Sequence, residues 1–177
     1  MALQEWDTEP SWNAIHELRS RSTPDTVERC QRLFRSRNWR KRALAVNVMC
    51  QLHVRTPRGV PYEEYAVLQT HAMLLEALRD PSPLVVAAAA FGCGHRRTPE
   101  ALDALLALAT HPVVDVRQGV TFGLCFRDDE RAIATLLALA GDSDEAVRDW
   151  ATFGLTNMPT WDTPAIRERL WQNTRDV

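Results

Sequence analysis

The fold is decided by two similar stretches of sequence, VRQGVTFGL at residues 116–124 and VRDWATFGL at residues 147–155. They lie 31 residues apart, and a further step of 31 towards the N-terminus reaches VVAAAAFGC at 85–93. The segments that precede them repeat as well, because ALDALLALA at 101–109 resembles AIATLLALA at 132–140. Two segments that recur together at this period predict a stack of helix pairs.

Each repeat carries Ala and Leu at helical spacing, strand patterns are absent, and residues that start or cap helices stand between the segments. The candidate helix starts are Thr23-Pro24, Asp80-Pro81-Ser82, Thr98-Pro99-Glu100 and Asp142-Ser143-Asp144. We therefore predict helix pairs at 24–37 with 39–53, 62–79 with 82–94, 99–109 with 112–125, and 130–140 with 143–157. A helix near 164–174 matches the first helix of a pair and is expected to cap the stack.

The pattern Asp-x-x-x-x-Val-Arg-x-x-Ala, at Asp142, Val147, Arg148 and Ala151, resembles the short HEAT-like repeat of the phycobilisome-lyase type. This resemblance implies an all-α fold, a right-handed α-α superhelix of about four helix pairs with terminal capping helices, in which the second helices line the concave side. It implies no reaction, because one repeat architecture serves many functions.

The repeat pattern predicts a single domain over residues 1–177. Within it, residues 1–60 form an N-terminal cap and a degenerate repeat, 62–157 three clearer repeats, and 158–177 a capping helix. In the degenerate repeat, Trp39 and Ala43 align with Val85 and Ala89, while Asn47 replaces an apolar residue. A short helix at 12–19, with Trp6 and Trp12 as apolar plugs, is expected to cover this end.

Some recurring residues are expected to serve packing. Gly92, Gly123 and Gly154 lie inside predicted helices, where glycine is unfavourable, so each is expected to permit close helix approach. The resemblance assigns Arg117 and Arg148 to contacts with an aspartate or a loop carbonyl of a neighbouring repeat.

Three phenylalanines recur on the helix side that faces away from this packing, namely Phe91, Phe122 and Phe153. They predict either an exposed aromatic ladder on the concave face or rings packed between adjacent second helices. In either case we expect this face to contact a partner, since aromatic residues and arginines dominate contact hot spots. The remaining candidate contact residues are Gln118, Asp149, Trp150, His95, Phe126, Asn157, Arg96 and Arg127.

A run of basic residues could instead grip phosphate groups. It comprises Arg32, Arg35, Arg37, Arg40, Lys41 and Arg42, without one acidic residue between them. Acids nearby in sequence could neutralise the run, and solvated basic helix faces are common. Nucleic acid is therefore the second partner class.

Composition limits the function classes. The hydrophobic content of 45% suits a globular core, and a net charge of −2 gives no general attraction to nucleic acid or anionic membranes. No signal peptide, membrane-spanning stretch, zinc-like Cys/His spacing, or common nucleotide, hydrolase or metalloprotease motif occurs. The four cysteines, Cys30, Cys50, Cys93 and Cys125, are expected to be reduced core thiols, which indicates the cytoplasm.

The sequence thus favours a non-catalytic, protein-binding adaptor or scaffold without cofactor or metal. The alternatives are a nucleic-acid-binding helical-repeat protein, which needs a basic groove, and a bilin lyase or chaperone, which the resemblance suggests and visible absorbance with a bilin would reveal.

Overall fold

The computed structural model describes residues 13, 15, 17, 18, 22–54, 63–157 and 162–174. Nine α-helices have defined bounds in this part of the chain, beside one 3₁₀ helix and the helical residues 13, 15, 17 and 18, and we number these nine in chain order. They are α1 (Pro24–Phe34), α2 (Trp39–Met49), α3 (Val67–Ala77), α4 (Pro83–Arg96), α5 (Leu102–Leu108), α6 (Val114–Leu124), α7 (Glu130–Leu139), α8 (Glu145–Thr156) and α9 (Pro164–Asn173). The predicted all-α solenoid of helix pairs is confirmed, with α1, α3, α5 and α7 as first helices and α2, α4, α6 and α8 as second helices.

Polar side chains start several helices as the sequence predicts. Thr23 Oγ1 accepts a hydrogen bond from the Thr26 N–H at 3.2 Å, and Asp144 caps α8 through the Val147 N–H at 3.2 Å. Thr98 makes no side-chain cap bond, and the turn that follows it, Pro99–Ala101, is a 3₁₀ helix. The predicted helix at 99–109 therefore begins as a 3₁₀ turn and continues as α5.

Two short strands, β1 (His53–Val54) and β2 (Glu63–Glu64), pair antiparallel between α2 and α3. No strand pattern was predicted, and these residues were expected to lie in or beside helices. A left-handed backbone at Ala66, with φ of 54°, separates β2 from α3, so the helix expected from residue 62 begins at Val67. Within the predicted N-terminal helix at 12–19, the described residues 13, 15, 17 and 18 are helical, while the plugs Trp6 and Trp12 lie outside the described residues.

The second helices contact one another much more extensively than the first helices do. Glycines make the closest of these contacts possible: a Cβ added to Gly123 would lie 2.6 Å from the Ala90 carbonyl oxygen, and one added to Gly119 would lie 2.7 Å from the Ala87 oxygen. Only a residue without Cβ fits at such distances. Because the stack is tighter on the side of the second helices, that side is the concave one, and we call it the second-helix face.

The predicted glycine role is confirmed at the other two repeat positions. A Cβ on Gly92 would meet the Leu74 side chain at 2.6 Å, and one on Gly154 would meet Cys125 Sγ at 2.8 Å. At both glycines the helix backbone therefore lies in direct contact with core side chains.

Arginine–aspartate pairs join successive repeats. Arg117 donates through Nε and Nη2 to both carboxylate oxygens of Asp142, each at 2.8 Å, and through Nη1 to the His111 carbonyl at 3.0 Å. Arg42 makes the same pattern with Asp80, at 2.7 and 2.8 Å. Arg148 donates to the Asp142 and Ser143 carbonyls. The structural role predicted for the repeated arginines is thus confirmed.

These pairs also correct the alignment of the first repeat. Arg42 occupies the position of Arg117, so Ala45 stands where Ala89 does, and the predicted match of Ala43 with Ala89 is wrong by two residues. The error arose because Ala43 and Ala45 are both fully buried in an apolar helix. Sequence spacing alone did not distinguish them.

Candidate functional site

Aromatic rings gather on the second-helix face. Phe91 of α4 and Phe122 of α6 stack with ring centroids 4.1 Å apart and planes inclined by 11°. Gly94 makes room for this stack, because a Cβ there would lie 2.5 Å from Phe122 Cδ1. Both rings are half-buried. For this pair the structure favours packing between second helices over the exposed ladder.

Trp150 extends the cluster to α8. Its ring meets Phe122 edge-to-face at 5.4 Å and Phe153 at 5.8 Å, and Phe153 meets Phe126 at 6.3 Å. We call Phe91, Phe122, Trp150, Phe153 and Phe126 the aromatic cluster. Phe126 and Phe153 are each 45% exposed, and they form its open end. The three repeated phenylalanines therefore do not form a regular ladder, because Trp150 stands between the second and the third.

The backbone at the open end is strained. Phe126 has φ of 62° and Arg97 has φ of 46°, both in the left-handed region that bulky side chains rarely occupy. The Arg97 guanidinium stands 6.0 Å from the centroid of the Phe126 ring. Strain of this kind costs about 1–3 kcal/mol per residue and clusters at binding sites.

Two arginines predicted to contact a partner are instead structural. Arg96 is 4% exposed and donates through Nη2 to the carbonyls of Met49 and Leu52, at 2.8 and 2.6 Å. Arg127 donates to the carbonyls of Gly123 and Thr98, at 2.7 and 2.9 Å. Arg96 bonds two carbonyls of the preceding repeat, whereas Arg127 bonds one carbonyl of its own helix α6 and one of the turn before α5, so both side chains take part in packing.

The burial of Arg96 affects its charge. Desolvation lowers the pKa of its guanidinium, and the carboxylate of Glu64, whose Oε2 lies 3.6 Å from Nη1, opposes this effect. The short strand β2 therefore places an acid beside a buried cation.

The other predicted contact residues lie on or beside the aromatic cluster. His95 is exposed, and its ring lies 5.3 Å from Phe91 and 5.0 Å from Phe122. Asp149 is exposed and Gln118 is half-buried. Asn157 is exposed, and its Nδ2 donates to the Phe153 carbonyl at 2.8 Å. Their contact with a partner stays a prediction.

Arg97 and Asp115 belong to this surface but were not among the predicted contact residues. Asp115 precedes Phe122 by seven residues, which places both on one side of α6. That spacing was visible in the sequence. The approach of Arg97 to Phe126 was not, because it depends on two left-handed residues.

The basic run lies at the opposite end of the stack, and fewer of its cations are free of an acidic partner than its sequence suggests. Arg42 is held by Asp80, and Arg32 lies 3.9 Å from Glu28. Arg40 is exposed above the Trp39 ring at 4.9 Å. The remaining members, Arg35, Arg37 and Lys41, are exposed or half-buried.

The cysteines carry no reactive chemistry. All four are buried free thiols, and burial raises the pKa of Cys50 and Cys93 to about 12 and that of Cys30 and Cys125 to about 11. Thiols with such pKa values are protonated at neutral pH and are poor nucleophiles.

Neither a metal site nor a membrane span is formed by the described residues. No group of three or more His, Cys, Asp or Glu side chains in this part of the chain could hold a metal ion. None of its helices is both long and apolar enough to cross a bilayer. A cavity of about 690 Å³ lies between α5 and α7, where the paired Arg117 and Asp142 form part of its wall, away from the aromatic cluster.

Comparison with known proteins gives one family and several similar folds. The family described as HEAT repeats matches residues 72–172, more than half of the chain. The X-ray structure of YibA from Escherichia coli superposes with a TM-score of 0.73 at 20% identity and covers 99% of this chain. The chain spans 62% of the length of that protein. No curated protein matches the sequence.

Two further solved structures share the architecture. A designed armadillo repeat protein in complex with the peptide (KR)4 has a TM-score of 0.54 at 14% identity, covering 98% of this chain and 85% of its own. Kap95p, in a structure concerned with its binding to RanGDP, has a TM-score of 0.64 at 15% identity, covering 95% of this chain and 24% of its own. At these identities the likeness establishes the fold, and the phycobilisome-lyase type stays a prediction.

Proposed function

The chain belongs to the HEAT-repeat family, and we propose that it is a non-catalytic binding scaffold that holds a segment of another protein on its second-helix face. The open end of the aromatic cluster is the anchor point. The observation that carries this proposal is the exposure of Phe126 and Phe153 together, next to the half-buried Trp150.

Several features support a contact role for these rings. The helices of the stack are already packed by buried Val, Ala, Leu and Gly positions, so the exposed parts of Phe126 and Phe153 add little to the core. Exposed aromatic groups beside polar residues are typical of protein-contact surfaces. The strained backbone that presents Phe126 outward is a cost that a purely structural turn would avoid by using glycine.

Similar folds support the same partner class. The designed armadillo protein is in complex with the peptide (KR)4, and Kap95p binds RanGDP. In a curved stack of helices, the concave side offers a long surface to an extended chain.

The basic run supports nucleic-acid binding less well. Its Arg42 is committed to Asp80, and the net charge of the chain is −2. The aromatic rings lie on later repeats, whereas the run lies on α1 and α2 and the turn between them. Base stacking and phosphate contacts would therefore have to come from distant parts of the molecule.

Selection of binding peptides tests the proposal. A displayed library of random linear peptides is panned against the protein, and each enriched peptide is then measured against Phe153→Gln and Leu68→Gln. Leu68 is a matched control, since it is 82% exposed on the first helix α3. We expect peptides whose binding is lost in Phe153→Gln and retained in Leu68→Gln.

A panel of enriched peptides that bind both variants equally would overturn the assignment of the second-helix face. Circular dichroism melts of the two variants show whether each is folded. Phe153→Gln should fold, because its ring is only partly covered.

A further inference from the structure

We infer that the segment held on the second-helix face is basic, with an arginine guanidinium stacked on the open end of the aromatic cluster and paired with Asp149. This inference rests on the proposed function and specifies its partner. The inference depends on which charged side chains of α6 and α8 have a partner within the chain and which have none.

Acidic side chains flank the aromatic cluster. Asp149 precedes Phe153 by four residues and Asp115 precedes Phe122 by seven, so each acid shares a helix side with a ring. Both carboxylates are exposed, and neither has an ion-pair or hydrogen-bond partner among the described residues. Asp115 lies in the first turn of α6, where the helix dipole favours an acid. Asp149 lies in the middle of α8 and gains no such stabilisation, so it is the more informative of the two.

The cations of the same helices are not available to neutralise these acids. Arg117 is the only basic residue of α6 and is held by Asp142, while Arg148, the only one of α8, donates to the Asp142 and Ser143 carbonyls. The second-helix face over α6 and α8 therefore carries aromatic rings beside two carboxylates, those of Asp115 and Asp149, with which no cation of these helices pairs. A partner with positive charge is complementary to that combination.

One ring of the aromatic cluster already lies next to a guanidinium. Arg97 already stands 6.0 Å from the Phe126 centroid, and cation–π attraction acts within about this distance. Arginine suits the site better than lysine, because its planar group stacks on aromatic faces and is less strongly hydrated. Arg97 is then a competitor that an incoming arginine displaces.

Fluorescence polarisation with short labelled peptides tests the inference. The probes are octa-arginine, octa-lysine and octa-glutamate, with a labelled single-stranded DNA as a fourth. We expect octa-arginine to bind more tightly than octa-lysine, and neither octa-glutamate nor the DNA to bind at physiological salt.

Variants locate the binding. Asp149→Asn should weaken octa-arginine binding by about threefold and Phe153→Gln by about fivefold, the size of one ion pair and one cation–π contact. Glu76→Gln is the matched control, because it removes one exposed acid from α3 and should leave binding unchanged. Arg97→Gln should tighten octa-arginine binding, since it removes the competing cation.

Three results would overturn the inference: no binding of octa-arginine, binding that Glu76→Gln weakens as much as Asp149→Asn, or weaker binding in Arg97→Gln. Preferential binding of the DNA or of octa-glutamate would do the same. If the peptide selection yields neutral or acidic ligands that require Phe153, the scaffold function stands and only its basic partner is wrong. If it yields none that require Phe153, the function itself fails.

Discussion

The interface between α4 and α6 differs from that between α6 and α8 at one repeated position. Ala88, Gly119 and Trp150 are equivalent residues, 31 apart in sequence. The small residues Ala88 and Gly119 let the backbones of α4 and α6 approach closely. The helices α6 and α8, with Trp150 at the equivalent position, are in less extensive contact. One large side chain thus changes a structural interface into a surface with exposed rings.

Residues at equivalent repeat positions therefore need not share a role. Phe91 and Phe122 stack because the close helices bring them together, while Phe153 meets Trp150 instead and stays 45% exposed. The predictions below test this contrast in order of expected effect.

The largest effect is expected from a side chain placed into the tight interface. Gly123→Leu should lower the free energy of unfolding by about 3 kcal/mol, because its Cβ alone would overlap the Ala90 carbonyl oxygen at 2.6 Å. Gly141→Leu is the control, since a Cβ there meets only the flexible guanidinium of Arg169 and should change stability by about 0.5 kcal/mol or less. Denaturant melts of both variants measure the difference. Equal losses would contradict the close approach of α4 and α6.

The second prediction separates the two kinds of phenylalanine. Phe122→Gln should cost about 2 kcal/mol of stability, since it removes a half-buried ring that stacks on Phe91 and contacts Trp150. Phe153→Gln should cost less than about 1 kcal/mol and act mainly on peptide binding. Thermal melts decide this without knowledge of the partner. A larger loss in Phe153→Gln than in Phe122→Gln would reverse the assignment of packed and exposed rings.

The strained backbone of Phe126 gives a third prediction of opposite sign. Phe126→Gly should raise stability by about 1 kcal/mol, because glycine adopts φ of 62° without strain. Peptide binding should weaken at the same time, since the exposed ring is lost. The pairing of higher stability with weaker binding, measured by melts and peptide titration, distinguishes a binding residue from a packing one. Lower stability would mean that the Phe126 ring contributes more to packing than its strain costs.

Much of this architecture could be predicted from the sequence, because period and helical spacing are local. The helix pairs and the glycine positions follow from the 31-residue repeat, whereas the structural role of Arg117 was implied by the resemblance to the HEAT-like repeat. The side on which Phe153 and Asp149 lie follows from 100° per residue along a helix.

The parts that could not be predicted depend on long-range contacts or on residues past a helix end. Arg42 is recognised as a repeat residue only through Asp80, which lies 38 residues away. Arg96 and Arg127 follow the contact row by one residue, but Arg96 donates to carbonyls of the preceding repeat, and Arg127 to one of its own helix and one of the turn before α5. Arg96 is the last residue of α4 and Arg127 lies beyond the end of α6, where the regular period no longer determines which groups a side chain reaches.

The smallest predicted effect concerns the ion pair that bridges α6 and the turn before α8. The α4–α6 interface lacks it, because Val86 and His111 occupy the positions of Arg117 and Asp142. The Arg117 guanidinium holds the pKa of Asp142 below its ordinary value. A carboxylate whose pKa is lower in the folded than in the unfolded chain stabilises the fold above its unfolded pKa, and this contribution is lost as the pH falls through the folded value.

Asp142→Asn should therefore be less stable than the unaltered protein by about 1 kcal/mol at neutral pH, and the difference should shrink as the pH falls below about 4. Urea melts across this range measure the difference directly. Asp149→Asn is the control, because Asp149 has no ion-pair partner among the described residues and should change stability little at any of these pH values. If the difference in the free energy of unfolding between Asp142→Asn and the unaltered protein stays constant with pH, the loss comes from altered hydrogen bonding by the carboxamide rather than from the missing charge. In that case the hydrogen bonds that Asp142 accepts from Arg117 and from the Asp144 N–H, rather than its negative charge, would stabilise the repeat boundary beside Trp150.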